Sequence, residues 1–135
     1  MAMTSRERVL AALRGEEPDR VPYCELYIDR AFGETLMGWD PKPGYTPDFH
    51  VNPFSADEAV AIADRLGMDN VFFVLRPPTY AEAGVGQDGR PFYSRGLIES
   101  PDDLAKVELP DPEDDALYAE AEAFARQKGD RAAFL

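Results

Sequence analysis

The chain has 135 residues, which is enough for one ordinary domain and too few for two. Its 26 acidic and 14 basic residues give a formal net charge of −12, which disfavours binding to nucleic-acid phosphates and to anionic membrane faces. No apolar run reaches the roughly 18 residues that span a bilayer, and no signal-peptide pattern opens the chain. We therefore expect a cytoplasmic protein that acts on a small molecule, without nucleic acid or membrane as a partner.

The first third of the chain contains one helix signal and one strand signal. Thr4 and Glu7 have capping-box spacing ahead of an apolar stripe, which predicts a helix over residues 4–14. Residues 21–28 (VPYCELYI) alternate between apolar and polar side chains, which predicts a strand. Four prolines fall within residues 40–53, which indicates an extended loop.

The same signals recur in the middle of the chain. Ser55 and Glu58 predict a second capped helix, which Gly67 can terminate. The apolar run at residues 71–75 (VFFVL) is typical of a parallel strand covered on both faces. Residues 87–90 (QDGR) predict a hairpin turn between two short strands.

The last third predicts helices and a third core strand. Ser100 and Asp111 each precede a proline in a helix-start pattern, and an apolar stripe follows the second of them. Gly129 closes that stripe, and residues 131–135 begin another strand. Strands that alternate with helices at this spacing indicate βαβ units and a parallel sheet, but three such strands are too few to close a barrel.

The polar face of the first predicted strand supplies the candidate site. Glu25, Tyr27 and Asp29 share that face, and Arg76 follows the second predicted strand. Ligands of parallel α/β folds bind at the carboxyl ends of the strands, so we take these four residues as candidate catalytic residues. A carboxylate near an arginine can serve acid–base chemistry or anion binding. A purely structural ion pair at the strand ends is the alternative.

Other features that suggest chemistry have simpler explanations. The lone Cys24 lies on the apolar face of its strand, which is typical of a structural thiol, and the lone His50 lies in the proline-rich loop. Together they cannot form a zinc site of the usual Cys/His kind, so we predict no metal site within the chain. The acidic stretch at residues 99–122 suits helix N-termini and a solvated surface. The glycine pattern at residues 84–89 (GVGQDG) precedes a hairpin signal where a dinucleotide site requires a helix.

The opening residues 3–22 (MTSRERVLAALRGEEPDRVP) resemble the start of the uroporphyrinogen decarboxylase family. Shorter similarities follow in the family's order at residues 66–69 (LGMD), 96–104 (GLIESPDDL) and 109–112 (LPDP), so the resemblance covers essentially the whole chain. It implies a (β/α)8 barrel, of which residues 1–135 form the N-terminal part of a single domain with about three strands. Such barrels typically need about 250 residues.

The family contains porphyrinogen decarboxylases and zinc-dependent methyltransferases that move methyl groups between corrinoid proteins and small thiols. The decarboxylases carry an arginine-rich segment after the first strand and a catalytic aspartate after the second. Here the first position reads residues 27–31 (YIDRA), with Arg30 as its one cation, and the second position is Arg76. The resemblance therefore implies the methyltransferase-like branch. Zinc and a corrinoid would be its cofactors, with the zinc ligands supplied by later strands.

Three hypotheses remain open, the first two from the resemblance and the third from the open apolar edges that three parallel strands leave. In the first, the chain is part of a methyltransferase-like barrel enzyme, and the four candidate residues orient an anionic or polar substrate. In the second, the same barrel decarboxylates a porphyrinogen or another carboxylate, with Arg76 as an anion clamp. In the third, the 135-residue chain is a non-catalytic fragment or subunit that forms a homodimer or pairs with a separate second half. In all three, we expect the isolated chain to be inactive.

Overall fold

The computed structural model describes residues 2–45, 52–75, 79–87 and 91–134. Within these ranges the chain forms helices, strands and two 3₁₀ turns, at Pro101–Lys106 and Asp115–Leu117. The helices are α1 (Ser5–Leu13), α2 (Arg30–Met37), α3 (Ala56–Leu66) and α4 (Ala119–Gln127); the strands are β1 (Asn70–Phe72), β2 (Ala81–Val85), β3 (Pro91–Gly96) and β4 (Ala132–Phe134). None of these helices is long and apolar enough to cross a membrane.

Both predicted capping boxes form, which confirms the first two predicted helices. At α1 the Glu7 amide donates to the Thr4 hydroxyl (3.2 Å), and the Glu7 carboxylate accepts from the Thr4 amide (2.9 Å). Ser55 and Glu58 make the same reciprocal pair at α3. Gly67 ends α3 in the left-handed conformation (φ 68°) that glycine adopts without steric cost.

Helix α2 is an element for which the sequence analysis made no prediction. Asp29 caps it by accepting from the amide of Ala31 (2.9 Å), and Gly38 ends it with φ 67°. Gly33 lies where α2 meets α3, and a Cβ atom there would stand 2.5 Å from Phe54 Cζ and 3.0 Å from Ile62 Cδ1. The absence of a side chain at Gly33 thus lets α2 pack closely on the core.

The predicted third core strand is confirmed as β4, which pairs in parallel with β1. The register joins Asn70 to Ala132 and Phe72 to Phe134. Strand β1 is shorter than the predicted residues 71–75. It ends at Phe72 because the backbone of Val74 bonds to the side chain of Asn52.

The prediction of a strand at residues 21–28 is wrong. The segment runs beside β1 without forming a backbone ladder, because side chains take the place of a partner strand. One backbone bond joins the Asp69 amide to the Tyr23 carbonyl oxygen (2.7 Å). The amide and carbonyl of Glu25 both bond to the side chain of Asn70.

The predicted alternation along this segment holds only in part. Ile28 packs against the core and Cys24 is half-buried, as expected for an apolar face. Leu26, predicted on the same face, is 59% exposed. Without a ladder to keep the pleat, side-chain direction no longer follows a strict period of two.

The predicted hairpin is confirmed as the antiparallel pair β2–β3, although residues 88–90 of its predicted turn lie outside the described residues. Phe92 lies opposite Gly84, and its ring covers the space that a side chain at Gly84 would fill. A hairpin at this position also confirms that the glycine pattern lacks the strand–helix context of a dinucleotide site.

Of the two helix starts predicted in the acidic stretch, the one at Ser100 begins the 3₁₀ turn Pro101–Lys106. The one at Asp111 is wrong: a turn follows it, and the second 3₁₀ turn begins at Asp115, capped by Asp114. The apolar stripe beyond forms α4. Phe124 of α4 is fully buried and lies against Phe73, with ring centroids 5.2 Å apart. These two rings lie in the core cluster together with Ala56, Ala63, Met68 and Val71. The core therefore lies between α3, α4 and the parallel pair, and no closed barrel forms within the described residues.

The close approach at Gly33 predicts a loss of stability for Gly33→Ala. Alanine gains about 1 kcal/mol of helix propensity over glycine, but overpacking a well-packed core typically costs about 1–3 kcal/mol. We expect a net decrease in the free energy of unfolding, measured by urea denaturation. Gly96→Ala is the matched control, because a Cβ there meets nothing within 4 Å; a Gly33→Ala protein as stable as that control would contradict the packing described here.

Candidate functional site

A fully buried carboxylate, Asp69, lies directly before β1 and binds two arginines. Arg8 from α1 donates through Nη1 at 2.5 Å, and Arg20 donates through both Nη1 (2.7 Å) and Nη2 (2.9 Å). The amide of Tyr23 donates to the same carboxylate at 2.8 Å. A single side chain thus holds α1, the turn after it and the extended segment against the sheet.

Asp19 completes the charge balance of this cluster. It accepts from Arg8 Nε at 2.6 Å and from the Met3 amide at 2.9 Å. Two carboxylates and two guanidiniums therefore meet in one network, defined here as the Asp69 network (Arg8, Asp19, Arg20 and Asp69). Three of its members are shielded from solvent to varying degrees, whereas the Arg20 side chain is 49% exposed.

The network keeps its carboxylates charged. Burial acts to raise the pKa of Asp69, but hydrogen bonds from the Tyr23 amide and from Ser5, Arg20 and Arg8 outweigh it, so the pKa lies below the ordinary value. The hydrogen bond from Arg8 is the largest cause that lowers the pKa of Asp19. The same pairing raises the pKa of Arg8.

Two asparagine side chains act as substitutes for strand partners. Asn70 Oδ1 accepts from the Glu25 amide (3.1 Å), and its Nδ2 donates to the Glu25 carbonyl (2.8 Å). Asn52 does the same for Val74, at 3.0 and 3.3 Å. Each side-chain amide matches the donor and acceptor of one backbone residue, which satisfies buried backbone groups where no ladder exists.

Asn70 and Asn52 both line a cavity of about 50 Å³, which is room for a few water molecules at roughly 10–15 Å³ each. It lies between the extended segment, β1, the start of α3 and α4. Most of its wall is aliphatic or aromatic. Its lining residues are Glu25, Tyr27, Ile28, Asn52, Pro53, Phe54, Ala59, Ile62, Met68, Asn70, Val71, Phe72 and Phe124.

The structure separates the four candidate residues of the sequence analysis. Glu25 and Tyr27 both line the cavity, and Tyr27 is 50% exposed. Asp29 serves as the N-cap of α2, and it is not among the residues that line the cavity. Arg76 lies outside the described residues, as does His50.

Arg30 is buried and fully engaged. Only 5% of it is exposed, and it bonds to Glu34 (2.7 Å), to Glu58 (2.9 Å) and to the carbonyl oxygen of Pro53. Its guanidinium also lies 5.3 Å from the ring centroid of Phe54. Arg30 therefore ties α2 to α3 and has its donors committed to the protein.

Cys24 does not have the environment of a nucleophile. Burial, and then the negative charge of Asp69, raise the pKa of its thiol, which disfavours the reactive thiolate. This agrees with the expectation of a structural thiol. Among the described residues, no group of three or more His, Cys, Asp or Glu side chains could hold a metal ion.

Sequence reasoning missed Asp69, Asn70, Arg8 and Arg20. A signal was present, since an Asp-Asn pair stands directly before an apolar run, where a buried strand is about to begin. Two polar residues at that position require buried partners. Their partners lie more than 40 residues away in sequence, so the pairing itself could not be read from local spacing.

Comparison with known proteins gives no match: no protein-family model, curated protein or solved structure is significantly similar to this chain.

We predict that Asp69→Asn destabilises the fold severely. The substitution keeps the size of the side chain but removes the buried carboxylate that Arg8 and Arg20 share, so that Arg8 keeps only its pair with Asp19. Breaking a buried ion pair costs about 3–5 kcal/mol. The free energy of unfolding from urea denaturation is the measurement. Asp64→Asn is the matched control, because Asp64 pairs with Arg131 while 64% exposed, and such pairs contribute about 0–1 kcal/mol. Equal effects of the two substitutions would contradict the role given to Asp69.

The lowered pKa of Asp69 predicts how this difference changes with pH. A carboxylate whose folded-state pKa is lowered stabilises the fold fully above the unfolded value, about 3.9 for aspartate, and loses that contribution as the pH falls below it. The stability gap between the wild-type protein and Asp69→Asn should therefore be constant from pH 7 to 5 and shrink below about pH 4. Urea denaturation across pH 7 to 2.5 measures it; a gap that does not change would show that charge on Asp69 is not its source.

Proposed function

We propose that the chain is the N-terminal part of a (β/α)8 barrel enzyme of the uroporphyrinogen decarboxylase family, in its methyltransferase-like branch. Such an enzyme moves a methyl group between a corrinoid and a small acceptor. The observation that carries the proposal is the Asp69 network, because it joins two separate pieces of the family resemblance. Arg8 and Arg20 belong to residues 3–22, and Asp69 ends residues 66–69.

Such a contact makes the two sequence similarities dependent on each other. A buried carboxylate needs its cations, and buried cations need the carboxylate, so neither segment can change charge alone without a large loss of stability. Two short resemblances that pair in this way support a common origin more strongly than either does separately.

The sheet adds support at the level of the fold. Strands β1 and β4 are parallel neighbours, and α4, which precedes β4, packs against α3 and β1 through Phe124. Parallel neighbours joined through a helix form the repeating unit of a (β/α)8 barrel.

The environment of Arg30 favours the methyltransferase-like branch over a porphyrinogen decarboxylase. Arg30 is the one cation in the segment where the decarboxylases present arginines to substrate carboxylates, and here it is committed to Glu34 and Glu58. The described wall of the cavity contains a carboxylate, Glu25, and no cation. A substrate with many carboxylates would find no partner there.

The proposed enzyme is cytoplasmic and acts on a small molecule through Glu25 and Tyr27, which line the cavity. Zinc and the corrinoid come into the proposal from the resemblance alone, because the described residues offer no set of zinc ligands. In this proposal the described residues form one wall of the substrate site, and the Asp69 network holds that wall against the sheet.

A non-catalytic subunit is the second candidate, and the exposed apolar surface favours it. Val21 is 84% exposed and Leu13 is 74% exposed, and within the described ranges β4 pairs with β1 alone. Open strand edges and apolar patches promote association. The chain would then form a homodimer or pair with a separate second half.

The proposal predicts methyl transfer by the complete protein encoded at this locus. The reading frame is first sequenced beyond the codon for Leu135, and the encoded protein is then given methylcob(III)alamin and 2-mercaptoethanol. We expect cob(I)alamin to appear with the methyl thioether, and chelation of zinc to slow the reaction by at least about tenfold. Release of CO₂ from uroporphyrinogen without methyl transfer would favour the decarboxylase instead. A stop codon after Leu135 with neither activity would favour the subunit.

A further inference from the structure

The charge of the cavity wall is set by one residue. Among the thirteen described residues that line the cavity, Glu25 is the only one with a carboxylate, and none has a basic side chain. No hydrogen bond or ion pair within the described ranges engages its carboxylate; the bonds that Glu25 makes to Asn70 use its backbone. The rest of the wall is apolar apart from Tyr27 and two asparagines.

The two asparagines carry no charge, and each already uses one donor and one acceptor of its amide on the backbone. The Asn70 amide is bonded to the backbone of Glu25, and the Asn52 amide is bonded to the backbone of Val74. The nearby buried cation, Arg30, is not among the lining residues and is held by Glu34 and Glu58. Within the described part of the wall, Glu25 is therefore the residue whose charge a ligand meets.

We propose that this cavity binds a small molecule with an apolar body and a cationic head, of which an alkylammonium ion is the simplest example. The apolar body lies against the aliphatic and aromatic wall, and the cationic head pairs with the Glu25 carboxylate. This inference rests on the proposed function in one respect, namely that the cavity forms part of the substrate site. The sequence analysis expected an anionic or polar substrate, whereas this inference assigns a positive charge to the ligand.

The field of the whole protein acts in the same direction. With a net charge of −12, the chain concentrates cations near its surface and repels anions. An anionic ligand would bring a second negative charge close to Glu25, which is itself exposed, whereas a cationic ligand would pair with it. We therefore expect the cavity to prefer a cation over an anion.

The chain carries its own fluorescent probe of this cavity. Trp39 is its single tryptophan, and it lies edge-on to Phe54, with ring centroids 6.5 Å apart. Phe54 forms part of the cavity wall, so a molecule that enters the cavity and moves this ring changes the surroundings of Trp39. Titration of the 135-residue chain with n-butylammonium, n-butanol and butyrate then compares three heads on the same apolar body.

We expect saturable changes in Trp39 fluorescence. n-Butylammonium should bind at least about tenfold more tightly than butyrate, and the affinity of n-butanol should be intermediate. Glu25→Gln should abolish this preference, and Glu25→Lys should reverse it in favour of butyrate. Glu16→Gln removes one exposed carboxylate outside the cavity and should leave the preference unchanged, which controls for net charge. Far-UV circular dichroism establishes that each variant is folded.

Equal binding of the three probes, no binding of any, or a preference that survives Glu25→Gln would overturn the inference. The outcome is separable from that of the proposed function. Methyl transfer by the complete protein without charge preference in the cavity would overturn this inference alone. A charge preference that depends on Glu25, found with a protein that transfers no methyl group, would support this inference and overturn the proposed function.

Discussion

The arrangement of this chain depends on the need to neutralise one buried carboxylate. Asp69 has no exposed surface, and removing a carboxylate from water costs several kcal/mol unless it is paired and hydrogen-bonded. Four hydrogen bonds from Arg8, Arg20 and Tyr23 meet that requirement. Because the donors come from three different parts of the chain, satisfying the charge also fixes the positions of α1 and the extended segment relative to β1.

The site depends on the same region of the structure. Asn70 follows Asp69 directly and holds the backbone of Glu25, so the residue that brings the charge to the cavity is positioned by the neighbour of the buried carboxylate. Asn70 and Asn52 both bind backbone groups that no strand pairs with, and both line the cavity. The described wall of this cavity, apolar with one carboxylate, is the basis of the functional proposals.

Local signals in the sequence predicted local structure well. The capping boxes at Thr4 and Ser55 set two helix starts correctly, and the turn signal near residues 87–90 correctly indicated a hairpin. The parallel pairing of the last strand also followed from the alternation of helices and strands. The capping boxes and the turn depend on neighbours a few residues apart, which a single sequence displays directly; the parallel pair joins distant residues and was predicted from the order of the elements.

The predictions that were wrong concern segments whose structure is decided by residues elsewhere in the chain. The extended segment alternates like a strand, but whether it joins a ladder is decided by Asp69 and Asn70, more than 40 residues later. Asp29 has the position of a site residue on a strand face, yet the start of α2 beside it makes it a helix cap. Of the candidate site, sequence periodicity found Glu25 and Tyr27 and missed the network that holds their segment in place.

The side chains of Asp69 and Asn70 hold the extended segment where a partner strand would otherwise do so. Hydrogen–deuterium exchange followed by NMR tests it at single amides, because Tyr23 and Glu25 donate their amides to those two side chains. We expect both amides to exchange as slowly as those of β1, and Asp69→Asn to accelerate the exchange of the Tyr23 amide. Exchange of both amides in the wild-type protein at the rate of an unstructured peptide would contradict this.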